Sequence, residues 1–126
     1  MIFLNTLCLR KDVANKSNLK NVILIREKVQ NMRKFYEKCH VAIAHFHKSG
    51  GKSCPTFIIE ALASGRPLIL GHGVGIRKLI QDLNVGLSFN DCDLINKIQI
   101  MRDDWENFAS RSRDLLMNTP KHIDRY

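Results

Sequence analysis

The 126-residue sequence lacks long apolar runs and export signals. Its apolar stretches fall far short of the roughly 20 residues that a membrane-spanning helix needs. The apolar start, MIFLNTLCL, has no basic residues before its hydrophobic part and no small-residue cleavage pattern after it, so it is not typical of a secretory signal. These absences predict a cytoplasmic protein, and the length predicts one domain.

Paired metal-ligand spacings are also lacking. The four cysteines are scattered and form no CxxC pair, which favours reduced thiols over a disulfide framework. A metal site could be built only from Cys39, His40, His45 and His47, and the second ligand pair of such a site is missing. The sequence therefore predicts no metal and no resident cofactor.

Acidic side chains are fewer than basic ones, 12 against 20, which gives a net charge of +8 and predicts an anionic partner. Only 7% of residues are aromatic, and no basic run is interleaved with them, so a base-stacking surface for nucleic acid is not indicated. The basic residues are scattered along Arg26–Lys38 and Arg102–Arg125. Solvated helix faces account for most of them, and the rest are compatible with a weak, peripheral contact with an anionic membrane.

Strand and helix patterns alternate from residue 21 onward. Apolar runs predict strands, and helical spacing predicts the segments between them. This alternation predicts an α/β domain over residues 21–126, with a parallel sheet, helices on both faces and C-terminal helices. Residues 1–20 are of uncertain structure, although MIFLNTLCL could be a strand. The predicted strands are Asn21–Ile25, Val41–Phe46, Leu68–Leu70 and Val85–Phe89.

Turn and cap residues set the expected helix limits. The predictions are a start at Asn31, a Ser53 cap before Pro55, an end at Gly65, a cap at Asn90 or Asp91, and a bend near Arg102–Asp104. In the helix opened by Gly75, spacing predicts that Ile76, Leu79 and Ile80 face inward. Leu94, Ile95, Ile98 and Met101 share helical spacing, and Trp105 with Phe108 is expected to anchor the core.

Two glycine-rich loops, His47–Ser53 and Gly71–Gly75, follow successive predicted strands. Loops of this kind lie at the carboxyl ends of parallel strands, where helix N-termini can hold phosphate groups. One acid, Glu60, interrupts the apolar segment FIIEALA. A carboxylate can accept two hydroxyl hydrogen bonds at once, as a ribose requires. The pattern therefore indicates a site for phosphate groups, with a carboxylate on the same helix that can bind hydroxyl groups.

The segments YEKCHVAIAHF, at 36–46, and CPTFIIEALASGRPLI, at 54–69, resemble the donor-binding core of retaining glycosyltransferases of the group 1 family, which have the two-domain GT-B architecture. The resemblance implies a nucleoside-diphosphate sugar as donor, a glycan or lipid-linked acceptor, and a role in polysaccharide biosynthesis. It implies that the helix N-terminus faces the diphosphate and that Glu60 binds the ribose. The nucleotide-sugar-binding residues that it implies are Gly51, Lys52, Ser53, Cys54, Thr56, Glu60 and Gly73; it names no catalytic residue.

The sequence departs from the family pattern in three respects. Lys52 stands eight positions before Glu60, where the family usually has an acid that contacts the donor sugar. The acceptor-binding domain and the first strand–helix unit of the donor domain are not seen in the sequence. We therefore expect a missing N-terminal domain or a partner chain to complete the site, and the chain to be inactive alone. A fragment, a split-enzyme subunit and a reduced relative all fit.

Two other functions fit parts of the sequence. Gly71, Gly73 and Gly75 follow a strand, and Asp91 comes 20 positions after the first of them, which resembles a dinucleotide-binding fingerprint with spacing GxGxG instead of GxGxxG. A non-catalytic interaction module with a basic surface is the other alternative. His72, within the second loop, is expected either to approach a phosphate or to be simply exposed.

Overall fold

The structure is a computed structural model that describes residues 3–5, 25, 27–46, 51 and 53–118. Within these residues, four strands form one sheet in the order β1 (Phe3–Asn5), β2 (Val41–Ala44), β3 (Leu68–Leu70) and β4 (Gly86–Ser88), and every neighbouring pair is parallel. The helices are α1 (Met32–Glu37), α2 (Thr56–Ala63), α3 (Arg77–Asp82), α4 (Leu94–Asp103) and α5 (Trp105–Met117).

Each side of the sheet is covered by helices. Ala42, Ala44, Leu68 and Leu70 form an apolar cluster with side chains of α1, α2 and α3. On the other side, the intervening strand residues Val41, Ile43 and Ile69 pack with side chains of α4 and α5. Burial on both faces explains why the strands are continuously apolar. The predicted α/β class, with a parallel sheet and helices on both faces, is confirmed.

The N-terminal segment contributes to this sheet, because β1 pairs in register with β2. Its three residues come from the segment MIFLNTLCL, for which the sequence left a strand open as a possibility. The predicted strand Asn21–Ile25 lies outside the described residues except for Ile25, which is in no strand and is half exposed. Among the described residues, no helix has the length and hydropathy to cross a bilayer.

Two predicted helix limits are confirmed. Asn31 caps α1, with its side-chain oxygen accepting the N–H of Lys34 at 3.1 Å. Gly65 follows α2 with a φ of 69°, the left-handed conformation that glycine adopts without steric cost. The predicted bend near Arg102–Asp104 also exists, because Asp104 both ends α4 and precedes α5.

Two predicted caps are wrong. Ser53 does not cap α2; Pro55 takes the N-cap position, and Ser53 instead uses its main-chain oxygen to accept the N–H of Ile76. Neither Asn90 nor Asp91 caps α4, which Asp93 precedes. The Asp93 carboxylate is turned back to accept the N–H of Asn90 at 2.6 Å, so it is used in the loop.

Helical spacing misplaced one side chain, that of Leu79, and does not by itself decide burial elsewhere. In α3, Ile80 is buried but Leu79 is 51% exposed, while Ile76, directly before the helix, is partly buried. In α4, Met101 is buried whereas Ile95 is 73% exposed. Spacing identifies residues that share a helix face, but only the position of the sheet decides how far that face is covered.

The direction of the strands separates two edges of the sheet. The carboxyl ends of parallel strands meet at one edge, so the loops after β2, β3 and β4 lie there. The start of α5 packs at the opposite edge, where the indole N–H of Trp105 donates to the main-chain oxygen of His40, directly before β2. The predicted role of Trp105 as a core anchor is consistent with this contact and with its packing against Phe108's cluster.

Candidate functional site

The two glycine-rich loops contact each other at the carboxyl edge. A Cβ added to Gly51 would overlap the main chain of Gly73, and one added to Gly75 would lie 2.9 Å from the Cα of Ser53. The N–H of Ile76 donates to the main-chain oxygen of Ser53 at 2.8 Å. These approaches leave no room for side chains, so the glycines allow one loop to pack on the other.

This contact places several predicted site residues at the start of α2. Gly51, Ser53, Cys54 and Thr56 are exposed there, while Pro55 between them is buried. Gly73 lies against the same loop. Lys52 is outside the described residues. The structure thus brings the backbone of the two loops and the first turn of α2 together, leaving a polar surface at the beginning of an eight-residue helix.

Glu60 lies about one turn along α2, roughly 6 Å from Thr56 along the helix axis. It is partly buried, and its carboxylate oxygen Oε2 accepts the hydroxyl of Tyr36 at 3.2 Å. Ser64, the i+4 residue, donates to the main-chain oxygen of Glu60 and leaves the carboxylate free of that contact. Sequence reasoning singled out Glu60 but missed Tyr36, because no local pattern links residues 24 positions apart.

A chain of polar side chains runs through the second loop. The Nδ1 atom of His72 lies 3.3 Å from the Arg77 guanidinium, and its Nε2 atom lies 3.8 Å from Oδ1 of Asp91. A guanidinium can only donate, so Nδ1 accepts, and we assign the proton of the neutral ring to Nε2, facing the carboxylate. The His72 side chain is 19% exposed. The expectation that it is simply exposed is therefore wrong.

His45 adjoins this chain, at the carboxyl end of β2. Its ring centre lies 6.2 Å from that of His72 and 5.4 Å from that of Phe89. Its Nδ1 atom is buried and has no hydrogen-bond partner in the described part of the chain. A Cβ at Gly71 would overlap this atom, so the glycine makes room for the ring. Sequence analysis named His45 only as a possible metal ligand within the predicted strand Val41–Phe46; its place near the end of that strand was the available signal.

The metal alternative gains no support from the described positions. His40 and His45 lie at opposite ends of β2, and His47 is outside the described residues. The Cys39 thiol is buried and donates to the main-chain oxygen of Phe35, and burial raises its pKa. Within the described residues no three His, Cys, Asp or Glu side chains are grouped as metal ligands. Cys39, Cys54 and Cys92 are free thiols, of which the last two are exposed.

A shallow cavity of about 580 Å³ lies at the other edge of the sheet, at the junction of α4 and α5. None of the predicted site residues lines it. The lining residues are His40, Arg102, Asp103, Asp104, Trp105, Glu106 and Asn107. This cavity and the converging loops thus lie at different edges of the sheet. We favour the loops, since only they combine close backbone approaches with the start of α2.

Comparison with known families identifies the protein family to which the chain belongs. The chain matches the group 1 glycosyl transferases over residues 8–118, most of its length, and it belongs to this family. No curated protein matches the sequence significantly. The resemblance inferred from the sequence is therefore confirmed, and family membership supports a role in glycosyl transfer with a nucleotide-sugar donor. It favours this function over the dinucleotide-binding alternative.

Proposed function

We propose that this chain is the donor-side half of a GT-B glycosyltransferase and that it binds the nucleoside diphosphate of the donor at the carboxyl edge of the sheet. The observation that supports this most is the packing of Gly51 and Ser53 on residues 73–76 beside the start of α2. Glu60 lies one turn along that helix. Its carboxylate can therefore reach the ribose of a nucleotide whose diphosphate is at the start of the helix.

The diphosphate is assigned to the start of α2 and the loops around it. Unpaired amides and the helix dipole favour an anion at a helix N-terminus. The residues that would hold the diphosphate are Gly51, Lys52, Ser53, Cys54, Thr56 and Gly73. The ribose is assigned to Glu60, whose carboxylate is a hydrogen-bond acceptor for hydroxyl groups.

In this proposal the chain's own residues bind and orient the donor and stabilise the departing diphosphate. Helix amides and basic groups can supply that stabilisation without a metal ion. The acceptor, a glycan or a lipid-linked sugar, would be held by a further domain or a partner chain. A cytoplasmic position with weak electrostatic contact to an anionic membrane would suit such an acceptor, and a role in polysaccharide biosynthesis would follow.

Calorimetric titration with UDP, GDP and ADP tests the proposal. We expect one of them to bind, and we expect Glu60→Gln to weaken its binding by about 1–3 kcal/mol through loss of a charged hydrogen-bond partner. Glu106→Gln, which removes an exposed carboxylate at the other edge of the sheet, is the matched control and should leave the affinity unchanged.

Failure of all three nucleotides to bind would contradict the proposal. Binding of NAD instead would favour the dinucleotide-binding alternative. If neither class bound, the interaction-module alternative would be the better explanation of the basic surface.

A further inference from the structure

Packing of its ring and hydrogen bonds to its backbone hold Tyr36 beside Glu60. It is 1% exposed, and its ring belongs to the apolar cluster between the sheet and helices α1 to α3. Arg66 lies just after α2. Its Nε atom donates to the main-chain oxygen of Tyr36 at 2.9 Å, and its Nη2 atom donates to the main-chain oxygen of Glu37 at 3.2 Å. Both the ring and the backbone of Tyr36 are thus fixed relative to α2.

The Tyr36 hydroxyl has two acceptors within reach. Oε2 of Glu60 lies at 3.2 Å and the main-chain oxygen of Phe57 at 3.3 Å. A phenol has one proton to donate, and an ionised carboxylate is the stronger acceptor. Burial and the Glu60 carboxylate both raise the pKa of Tyr36, so the hydroxyl remains a donor at neutral pH.

The two carboxylate oxygens of Glu60 are therefore unequal. Oε2 has a protein donor, whereas no donor to Oε1 occurs among the described residues. A carboxylate fixed through one oxygen cannot rotate freely about its last bond, so the direction of the other oxygen is fixed as well. Such fixing reduces the ordering cost of binding a hydroxyl group.

We infer that Tyr36 is a positioning residue for ribose recognition: it holds Oε2 of Glu60 and leaves Oε1 for one ribose hydroxyl of the donor. The inference rests on the proposed function, since it needs a nucleotide with its ribose at Glu60. A site arranged in this way is selective for ribonucleotides. Tyr36 contributes to that selectivity without touching the ligand itself.

A comparison of ribonucleotide and 2′,3′-dideoxynucleotide binding tests the inference in the full chain. With the nucleoside diphosphate that the wild type binds, we expect Tyr36→Phe to raise Kd about 5–10-fold, equivalent to roughly 1 kcal/mol. The same variant should change Kd for the dideoxy analogue less than about twofold. In a Glu60→Gln background, Tyr36→Phe should have a clearly smaller effect, because the two residues act together.

Ser112→Ala is a matched control, since Ser112 is also a buried hydroxyl that donates to a main-chain oxygen, that of Phe108. It should lower stability without changing the ratio of the two affinities. A purely structural role for Tyr36 would behave like this control, with both ligands affected equally, and that result would overturn the inference. If the wild type bound no nucleoside diphosphate, the proposed function itself would fail.

A second measurement uses the wild type alone and does not depend on the folding of Tyr36→Phe. Because Oε1 accepts one hydroxyl, one of the 2′-deoxy and 3′-deoxy analogues should bind nearly as well as the ribonucleotide, and the other nearly as weakly as the dideoxy analogue. Equal losses for the two analogues would show that the Glu60 carboxylate binds both ribose hydroxyls, and the inference would be wrong.

Discussion

Gly73 lies directly against Phe46: a Cβ at residue 73 would stand 2.6 Å from the main-chain oxygen of Phe46. Gly73 also has a φ of 77°, a conformation that residues with a side chain rarely adopt. Gly73→Ala therefore combines backbone strain with a collision against backbone, and we expect it to lower the free energy of unfolding by about 1–3 kcal/mol. Urea unfolding followed by circular dichroism measures this loss.

Ser110→Ala, at an exposed position of α5, is the control for Gly73→Ala and should change stability by no more than about 0.5 kcal/mol. Equal midpoints for the two variants would mean that the loop relaxes at little cost. In that case the close packing of the two loops would not need a glycine at residue 73.

The positive charge of Lys52 predicts how nucleoside diphosphate binding responds to charge reversal and to salt. If it serves the diphosphate in place of the family's usual acid, Lys52→Glu should bind the nucleoside diphosphate at least about tenfold more weakly, a change of roughly 1.4 kcal/mol. Wild-type binding should weaken as salt is added, since counterions screen exposed charges. Calorimetry at low and high salt measures both effects.

Arg102→Glu alters the net charge by the same amount at the other edge of the sheet and should have a much smaller effect. Tighter binding of a neutral nucleotide-sugar by Lys52→Glu would argue the opposite. The lysine would then have abolished the sugar contact of the family's acid without providing a diphosphate contact in its place.

The buried Tyr36 hydroxyl makes stability fall at alkaline pH. Burial and the Glu60 carboxylate raise the pKa of Tyr36 well above its ordinary value of 10.0. Above about pH 10 the unfolded chain loses this proton while the folded chain keeps it, so the free energy of unfolding decreases as pH rises. Below that pH the contribution is complete and constant.

Urea unfolding at about pH 9 and about pH 11 measures the alkaline loss of stability. Tyr36→Phe has no such proton, so its stability should decrease less between the two conditions. Lysine titration affects both proteins and cancels in the difference. Parallel losses in wild type and variant would show that Tyr36 ionises normally in the folded chain.

The isolated 126-residue chain is expected to bind the donor nucleotide without transferring sugar. Transfer requires an acceptor held against the donor, and orientation of this kind can account for about 7–11 kcal/mol of a barrier. The proposal assigns the acceptor to another domain or chain. Release of free nucleoside diphosphate from nucleotide-sugars, measured with and without glycan acceptors, should stay at background. Turnover that is independent of dilution would contradict this.

Local rules predicted much of the fold. The β-strand Leu68–Leu70, the Asn31 cap and the turn at Gly65 each depend on residues within a few positions, so propensity and cap chemistry were sufficient. The Ser53 cap failed for the opposite reason. Its loop is tied to Ile76, 23 positions later, and that contact uses the Ser53 backbone.

The candidate site likewise has parts that local sequence signals predict and parts that depend on contacts between distant residues. Glycines and Glu60 could be identified from the sequence, because a lone acid on an apolar segment and glycines after strands are local signals. Tyr36 beside Glu60, and His45 beside His72, join different elements, and only the packing of those elements brings them together. Distances between such groups depend on the whole sheet and cannot be obtained from spacing.

Trp105 is the one tryptophan of the sequence, and its indole N–H is bonded to the main chain of His40. Its fluorescence emission therefore reports whether α5 is docked at the amino edge of the sheet. β2 is four residues long and spans about 13 Å, which separates His40 from the edge where the glycine loops lie. The protein thus contains an intrinsic optical probe of folding that nucleotide at the opposite edge should leave unquenched.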